Sequence, residues 1–119
     1  MNVDQAMRSR RAVRNYKDKE VSRRKIEKIM DAVRNAPSAD NRQDWQFIFV
    51  KDEEKKRELS EKAGIQSFVR KAPIIIAGVT TRPESEMTCG VPAGVVDLSI
   101  ALDHLTLKAV EEELGTCWI

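Results

Sequence analysis

The sequence predicts a layered α+β or α/β domain with a sheet between helices. Three observations carry that expectation. Apolar residues recur at helical spacing within Ser22–Asn35 and again within Val95–Leu114. Two short apolar runs, Trp45–Val50 and Pro73–Val79, are rich in aromatic or β-branched residues and read as strands. These segments follow one another in the order helix, helix, strand, helix, strand, long helix, strand. A length of 119 residues suits one domain with a modest core, and 41% hydrophobic with 34% charged residues is the composition of a globular rather than a disordered chain.

Residues 2–9 form a short helix leading into a basic stretch. Lys17-Asp18-Lys19-Glu20 is a polar turn, and Ser22 is the N-cap of the next helix, without the Glu or Gln of a capping box. Ile26, Ile29, Met30 and Val33 give that helix one buried face, and Pro37 ends it. Pro37–Asp44 is a loop, and Trp45–Val50 a buried strand. Asp52 caps a mostly charged helix, Glu53–Ala63, closed by Gly64 and anchored by Leu59 and Ala63 alone. Pro73–Val79 reads as a central strand. After the loop Thr80–Pro92, the long helix Val95–Leu114 places Leu98, Ala101, Leu102, Leu105 and Ala109 on one face. Ile100, Leu107 and Val110 widen that surface, as expected of a helix buried in a core or against a second subunit. Gly115 supplies its C′ residue, and Thr116–Ile119 begins a third strand.

The formal net charge of +2 hides an asymmetry: residues 1–36 hold eleven Lys/Arg against five Asp/Glu, a local +6, and the remainder is −4. The polar start, Met1–Arg11, lacks the apolar core of a signal peptide, and no segment has the apolarity of a membrane span, since Val91–Leu107 carries Asp97, Asp103 and His104. Two cysteines outside a Cys-x-x-Cys pattern and one histidine give little support to disulfide, dithiol or zinc chemistry, so a reducing cytoplasm is the default expectation. Few aromatics argue against a stacking surface for single-stranded nucleic acid.

Three constellations remain. Arg10-Arg11-Ala12-Val13-Arg14 places three guanidiniums within five residues, and forked donors of this kind suit phosphate. From charge alone a solvated face is the simpler reading, but in an extended segment Arg10 and Arg14 share one side and clamp one ligand. Pro37-Ser38-Ala39-Asp40-Asn41-Arg42-Gln43-Asp44-Trp45 joins a helix to a strand. Its Ser, Asn and Gln hold a polar planar ligand better than they do acid–base work, the plain alternative being a capped turn. Gly115-Thr116-Cys117-Trp118-Ile119 starts a strand, with Cys117 as a small buried hydrophobe, and His104 is a packed or interface histidine rather than a partner of Asp103.

Taken in order with Ala72-Pro73-Ile74-Ile75-Ile76 and Val96–His104, these pieces resemble the nitroreductase family of FMN-dependent oxidoreductases over essentially the whole chain. The resemblance implies an α+β fold with a mixed sheet flanked by helices, Val95–Leu114 as the dimer-core helix, and a homodimer with two FMN sites at its interface. It implies that Arg10, Arg11 and Arg14 hold the FMN phosphate, ribityl chain and ring edge. Pro37, Ser38 and Asn41 belong to the loop reaching the flavin from the other subunit, and Gln66 lies where some relatives place a flavin-contacting amide. NAD(P)H and a small oxidant such as a nitroaromatic or quinone are the implied reactants, with no nucleic acid and no membrane. Acid–base residues are sparse because the flavin carries the chemistry while the protein binds, orients and tunes it. Asp44 stands where relatives commonly have proline, and Ala12 where many have serine. Relatives also continue past the position of Ile119, so the resemblance implies the front part of that fold. A catalytically silent flavin-binding or dimerising module is the alternative, and a nucleic-acid-binding protein resting only on the basic segment ranks last.

Overall fold

The structure, a computed structural model, describes residues 1–119. It contains helices α1 (Val3–Ser9), α2 (Arg23–Arg34), α3 (Glu53–Lys62) and α4 (Ala93–Glu111), strands β1 (Trp45–Val50) and β2 (Ile75–Thr80), and two short 3-10 turns, Ala39–Asn41 and Ser67–Lys71. Helix α1 opens with a capping box: the Asn2 side chain accepts from the Gln5 N–H, and the Gln5 side chain accepts from the Asn2 N–H, each at 2.9 Å. Ser22 and Asp52 cap α2 and α3 as expected, accepting from the N–H groups of Lys25 and Lys55.

Helices α2 and α4 run antiparallel. At the start of α2, Lys25 Nζ donates to the Glu112 carbonyl at 2.5 Å and Lys28 Nζ reaches the Glu112 carboxylate at 2.9 Å. The Lys28 hydrogen bond, with Lys28 and Lys108 as neighbouring charges, holds the Glu112 carboxyl below its ordinary range. Beyond the other end of α2, Ala39 meets Asp97 in the early part of α4. Between these ties Ile29, Val33, Ala36, Ala101, Leu105 and Ala109 form the core, with Trp45, Phe47, Ile76 and Leu102 packed against it. The small residues on α4 are what let α2 come close.

The sheet is smaller than expected. Strands β1 and β2 pair antiparallel, from Trp45 opposite Thr80 to Val50 opposite Ile75, and nothing flanks them, so β2 is not a central strand. Helix α4 covers one face, where a Cβ on Gly78 would lie 3.0 Å from the Leu98 side chain. On the other face Ile48 and Val79 are 50% and 40% exposed, so this sheet is not sandwiched by helices. The expected third strand is a single parallel bridge between Thr116 and Ala12, and Trp118 and Ile119 are exposed. Strand pairing needs successive partners, and here only the Val13 N–H donates, to the Thr116 carbonyl at 2.8 Å. An apolar cavity of about 410 Å³ opens beside this segment, with Ile26, Phe49, Leu59 and Ile75 in its wall.

Two further expectations change. Helix α3 buries Lys56 and Ser60 while Ala63 is exposed. The Lys56 stem lies inside, and its ammonium donates to the Ala72 carbonyl at 2.7 Å and pairs with Glu53 at 2.9 Å, which ties α3 to the approach to β2. Helix α4 closes with a Schellman pattern, Leu114 N–H to Ala109 and Glu113 N–H to Val110, so the left-handed C′ residue is Glu113 (φ 61°) rather than Gly115. Glu113→Gly is therefore expected to raise stability by about 1 kcal/mol, read as a higher urea midpoint, because glycine adopts that conformation without the Cβ penalty. An unchanged or lower midpoint would contradict the strain assigned to Glu113. No helix is long and apolar enough to cross a membrane.

Candidate functional site

The basic segment leaves α1 at Arg10, whose φ of −58° and ψ of 131° turn the chain out of the helix. It then runs without helical structure past Arg14, fixed at its midpoint by the bridge from Ala12 to Thr116. Gly115 makes that approach possible, since a Cβ there would lie 2.9 Å from three side-chain atoms of Val13. The Tyr16 hydroxyl donates to the Val13 carbonyl at 2.5 Å, and its ring packs on Phe68 with centroids 6.4 Å apart. Burial pushes the Tyr16 phenol up, Cys117 adds to the effect, and the charge of Arg14 opposes it. Tyr16 thus joins the basic segment to the 3-10 turn Ser67–Lys71. Gln66 is exposed and immediately precedes that turn. No periodic pattern in the sequence marks Tyr16.

The three arginines are not equivalent. Arg11 folds back, donating from Nη1 to the carbonyls of Arg8 at 2.6 Å and Arg10 at 2.9 Å. Arg10 and Arg14 are exposed and make neither an ion pair nor a side-chain hydrogen bond within the chain. Two guanidiniums without partners, flanking a backbone fixed at Ala12, offer forked donors to an anion.

The second constellation lies elsewhere. Pro37 and Asn41 are exposed and Ser38 is half-buried. The Ser38 hydroxyl accepts the Gln43 N–H at 3.0 Å, and the Ser38 carbonyl accepts the Asn41 N–H at 3.0 Å. Asp40, Asn41 and Gln43 all adopt left-handed φ angles, 52°, 53° and 55°, an unusual density for residues other than glycine. Arg42 pairs with Asp44 at 3.5 Å and donates to Ser85 at 3.2 Å. The Ala39 N–H donates to Asp97 on α4 at 3.1 Å, a partner that the apolar periodicity of α4 did not reveal.

Within one chain the two constellations sit at opposite ends of α4. The loop is tied to Asp97, whereas the basic segment is tied to Gly115 and Thr116 beyond the C-terminus of the helix. At 1.5 Å per residue, Asp97 and Glu112 are about 20 Å apart along the axis. The structure therefore groups Arg10, Arg14 and the turn after Gln66, and separates them from Pro37, Ser38 and Asn41. The two exposed guanidiniums at one end suit a phosphate, and the hydroxyl and amide groups at the other suit a polar planar ring, so the two ends fit the parts of a cofactor such as FMN separately and not as one set within a single chain.

Comparison with known proteins gives these features a context. The Nitroreductase family matches residues 7–73, the stretch holding the basic segment, the Pro37–Asp44 loop, β1 and α3. The FMN reductase [NAD(P)H] of Bacillus subtilis (strain 168) is 32% identical over 129 residues, covering 96% of this chain and 52% of that protein. Among solved structures, a nitroreductase family protein from Clostridium novyi NT superposes with a TM-score of 0.90 at 27% identity, covering all of this chain and 69% of that one. An FMN-dependent nitroreductase from Clostridium difficile R20291 superposes with a TM-score of 0.85 at 35% identity, covering 98% and 65%. The chain thus spans about half the length of the curated B. subtilis relative and about two thirds of these structures, and its small sheet is part of their α+β fold. With the family matching more than half of the chain and the fold superposing throughout, the chain belongs to the nitroreductase family.

Proposed function

We propose that the chain binds FMN as a subunit of a homodimeric oxidoreductase that passes hydride from NAD(P)H to a small oxidant such as a nitroaromatic or quinone. The observation that carries this reading is the pair of unpartnered guanidiniums, Arg10 and Arg14, on a segment held rigid at Ala12. Arg10 and Arg14 bind the cofactor phosphate and ribityl chain, while Arg11, turned onto its own backbone, contributes positive charge. Ser38 and Asn41 supply hydroxyl and amide groups to the ring, and Gln66 adds a further amide. Because the loop is about 20 Å along α4 from the basic segment of its own chain, a site using both takes them from two copies of the chain. Cationic side chains beside the ring favour negative charge developing there. When bound, FMN supplies the hydride chemistry, and the protein contributes binding, orientation and electrostatics.

The test is a titration with FMN followed by flavin absorbance and fluorescence, then NAD(P)H oxidation with a quinone or nitroaromatic. Saturable binding with turnover supports the reading, and absence of binding contradicts it. Bound flavin without NAD(P)H oxidation would instead identify a flavin-binding or dimerising module without turnover.

A further inference from the structure

We infer that Asp97 is a positioning residue that holds the Ser38–Asn41 loop in its ligand-ready shape through the Ala39 N–H, a proposal that rests on the flavin reading above. Asp97 is 6% exposed in the first half of α4, on the same face as Ala101 and Leu105. A carboxylate on an apolar helix face is costly unless its oxygens are hydrogen-bonded, so its retention there calls for a partner. That partner is the Ala39 N–H at 3.1 Å, 58 residues away in sequence. No other acceptor takes this N–H. The hydrogen bonds of the turn itself run from Asn41 and Arg42 back to Ser38 and Ala39.

The loop has reason to need an anchor. Asp40, Asn41 and Gln43 are left-handed, and none is glycine. Such conformations persist only where the surroundings impose them, and they gather at functional sites. Besides the hydrogen bonds of the turn itself, the contacts that impose this shape are Ser38 to Gln43, Arg42 to Asp40, Asp44 and Ser85, Thr81 to Asp44, and Ala39 to Asp97. Only the last fixes the start of the turn to the helix core, and so fixes where Ser38 and Asn41 present their side chains. Asp97 touches no ligand in this account. It acts through the backbone of Ala39.

Two substitutions remove opposite ends of this one bond. Asp97→Ala deletes the acceptor. Ala39→Pro deletes the donor at the first position of a helical turn, where proline is tolerated, and Ser38 before it is already extended at φ −140° and ψ 160°. Asp97→Asn keeps an oxygen that can accept from Ala39. The 119-residue chain and its variants are compared by amide hydrogen exchange and by FMN titration. Loss of a charge-assisted hydrogen bond is expected to speed exchange of the Asn41 and Gln43 amides by about tenfold or more relative to amides of α2, and to weaken FMN by a similar factor. The Asp97→Ala/Ala39→Pro double variant should do no worse than the worse single, and Asp97→Asn should stay near wild type. A residue that served only the core would lower stability throughout α4 without selective exchange at Asn41 and Gln43. Unchanged exchange at those amides, or losses that add in the double variant, would overturn the proposal. If wild-type chain binds no FMN, the flavin reading falls, while the exchange measurements still decide the role of Asp97.

Discussion

Replacing Arg10 and Arg14 together by alanine is expected to raise the Kd for FMN by about a hundredfold or more, because each removes a charge-assisted contact of about 1.5–3 kcal/mol. Arg11→Ala should change Kd by less than about threefold, since its guanidinium is bound to the Arg8 and Arg10 carbonyls. Fluorescence titration at fixed ionic strength reads both. The contrast matters more than either value, because a diffuse basic surface would weaken in proportion to charge removed, whichever arginine was changed. Equal losses for all three single variants would reduce the segment to a patch of charge. Thermal stability should be unaffected by the double change, as neither Arg10 nor Arg14 pairs with anything in the chain.

Gly115→Ala is expected to destabilise the chain by about 1–3 kcal/mol and to weaken FMN along with it. The added Cβ would sit 2.9 Å from Val13 Cβ, Cγ1 and Cγ2, and it is the branched body of the side chain, not a flexible tip, that it meets. Relief requires Val13 to move away, which breaks the 2.8 Å hydrogen bond from Val13 to Thr116 and frees the segment carrying Arg10 and Arg14. Urea denaturation measures the first effect and flavin titration the second. On a Val13→Gly background, where Cβ, Cγ1 and Cγ2 are all absent, the same Gly115→Ala change should cost much less in both measurements. An undiminished cost there would mean that glycine is needed at position 115 for some other reason than this approach.

Where the sequence carries a pattern, the structure follows it closely. Strand β1 occupies the run Trp45–Val50, and the helical spacing of Ile29 and Val33 marks the two α2 residues that are buried. The arginine segment and the Pro37–Asp44 loop are legible because their residue types are unusual in combination. What was not legible depends on approach between distant parts. Gly115 looks like a helix cap, yet Glu113 takes the left-handed position, and Gly115 serves the contact with Val13. Periodicity points to Leu59 and Ala63 as the anchors of α3 and gives no sign of Lys56, whose burial is explained by the Ala72 carbonyl 2.7 Å away together with Glu53. Asp97 was hidden for the same reason: a count of apolar positions treats a carboxylate on the core face of α4 as an interruption, although its place four residues before Ala101 marks it as buried. The β-forming residues Thr116 to Ile119 predict a third strand, but local preference creates no partner, and only Ala12 lies alongside.

The proposed FMN site takes its arginines from one copy of the chain and its Ser38–Asn41 loop from another. Mixing separately purified Arg10→Ala and Asn41→Ala variants, with subunits allowed to exchange, tests it most directly. Each mixed dimer would carry one doubly altered site and one intact site, so random pairing should restore high-affinity FMN binding to about one quarter of the wild-type sites. If both constellations served a site within a single chain, the mixture would bind no more FMN than the average of the two variants measured alone, and the shared-site account would be wrong.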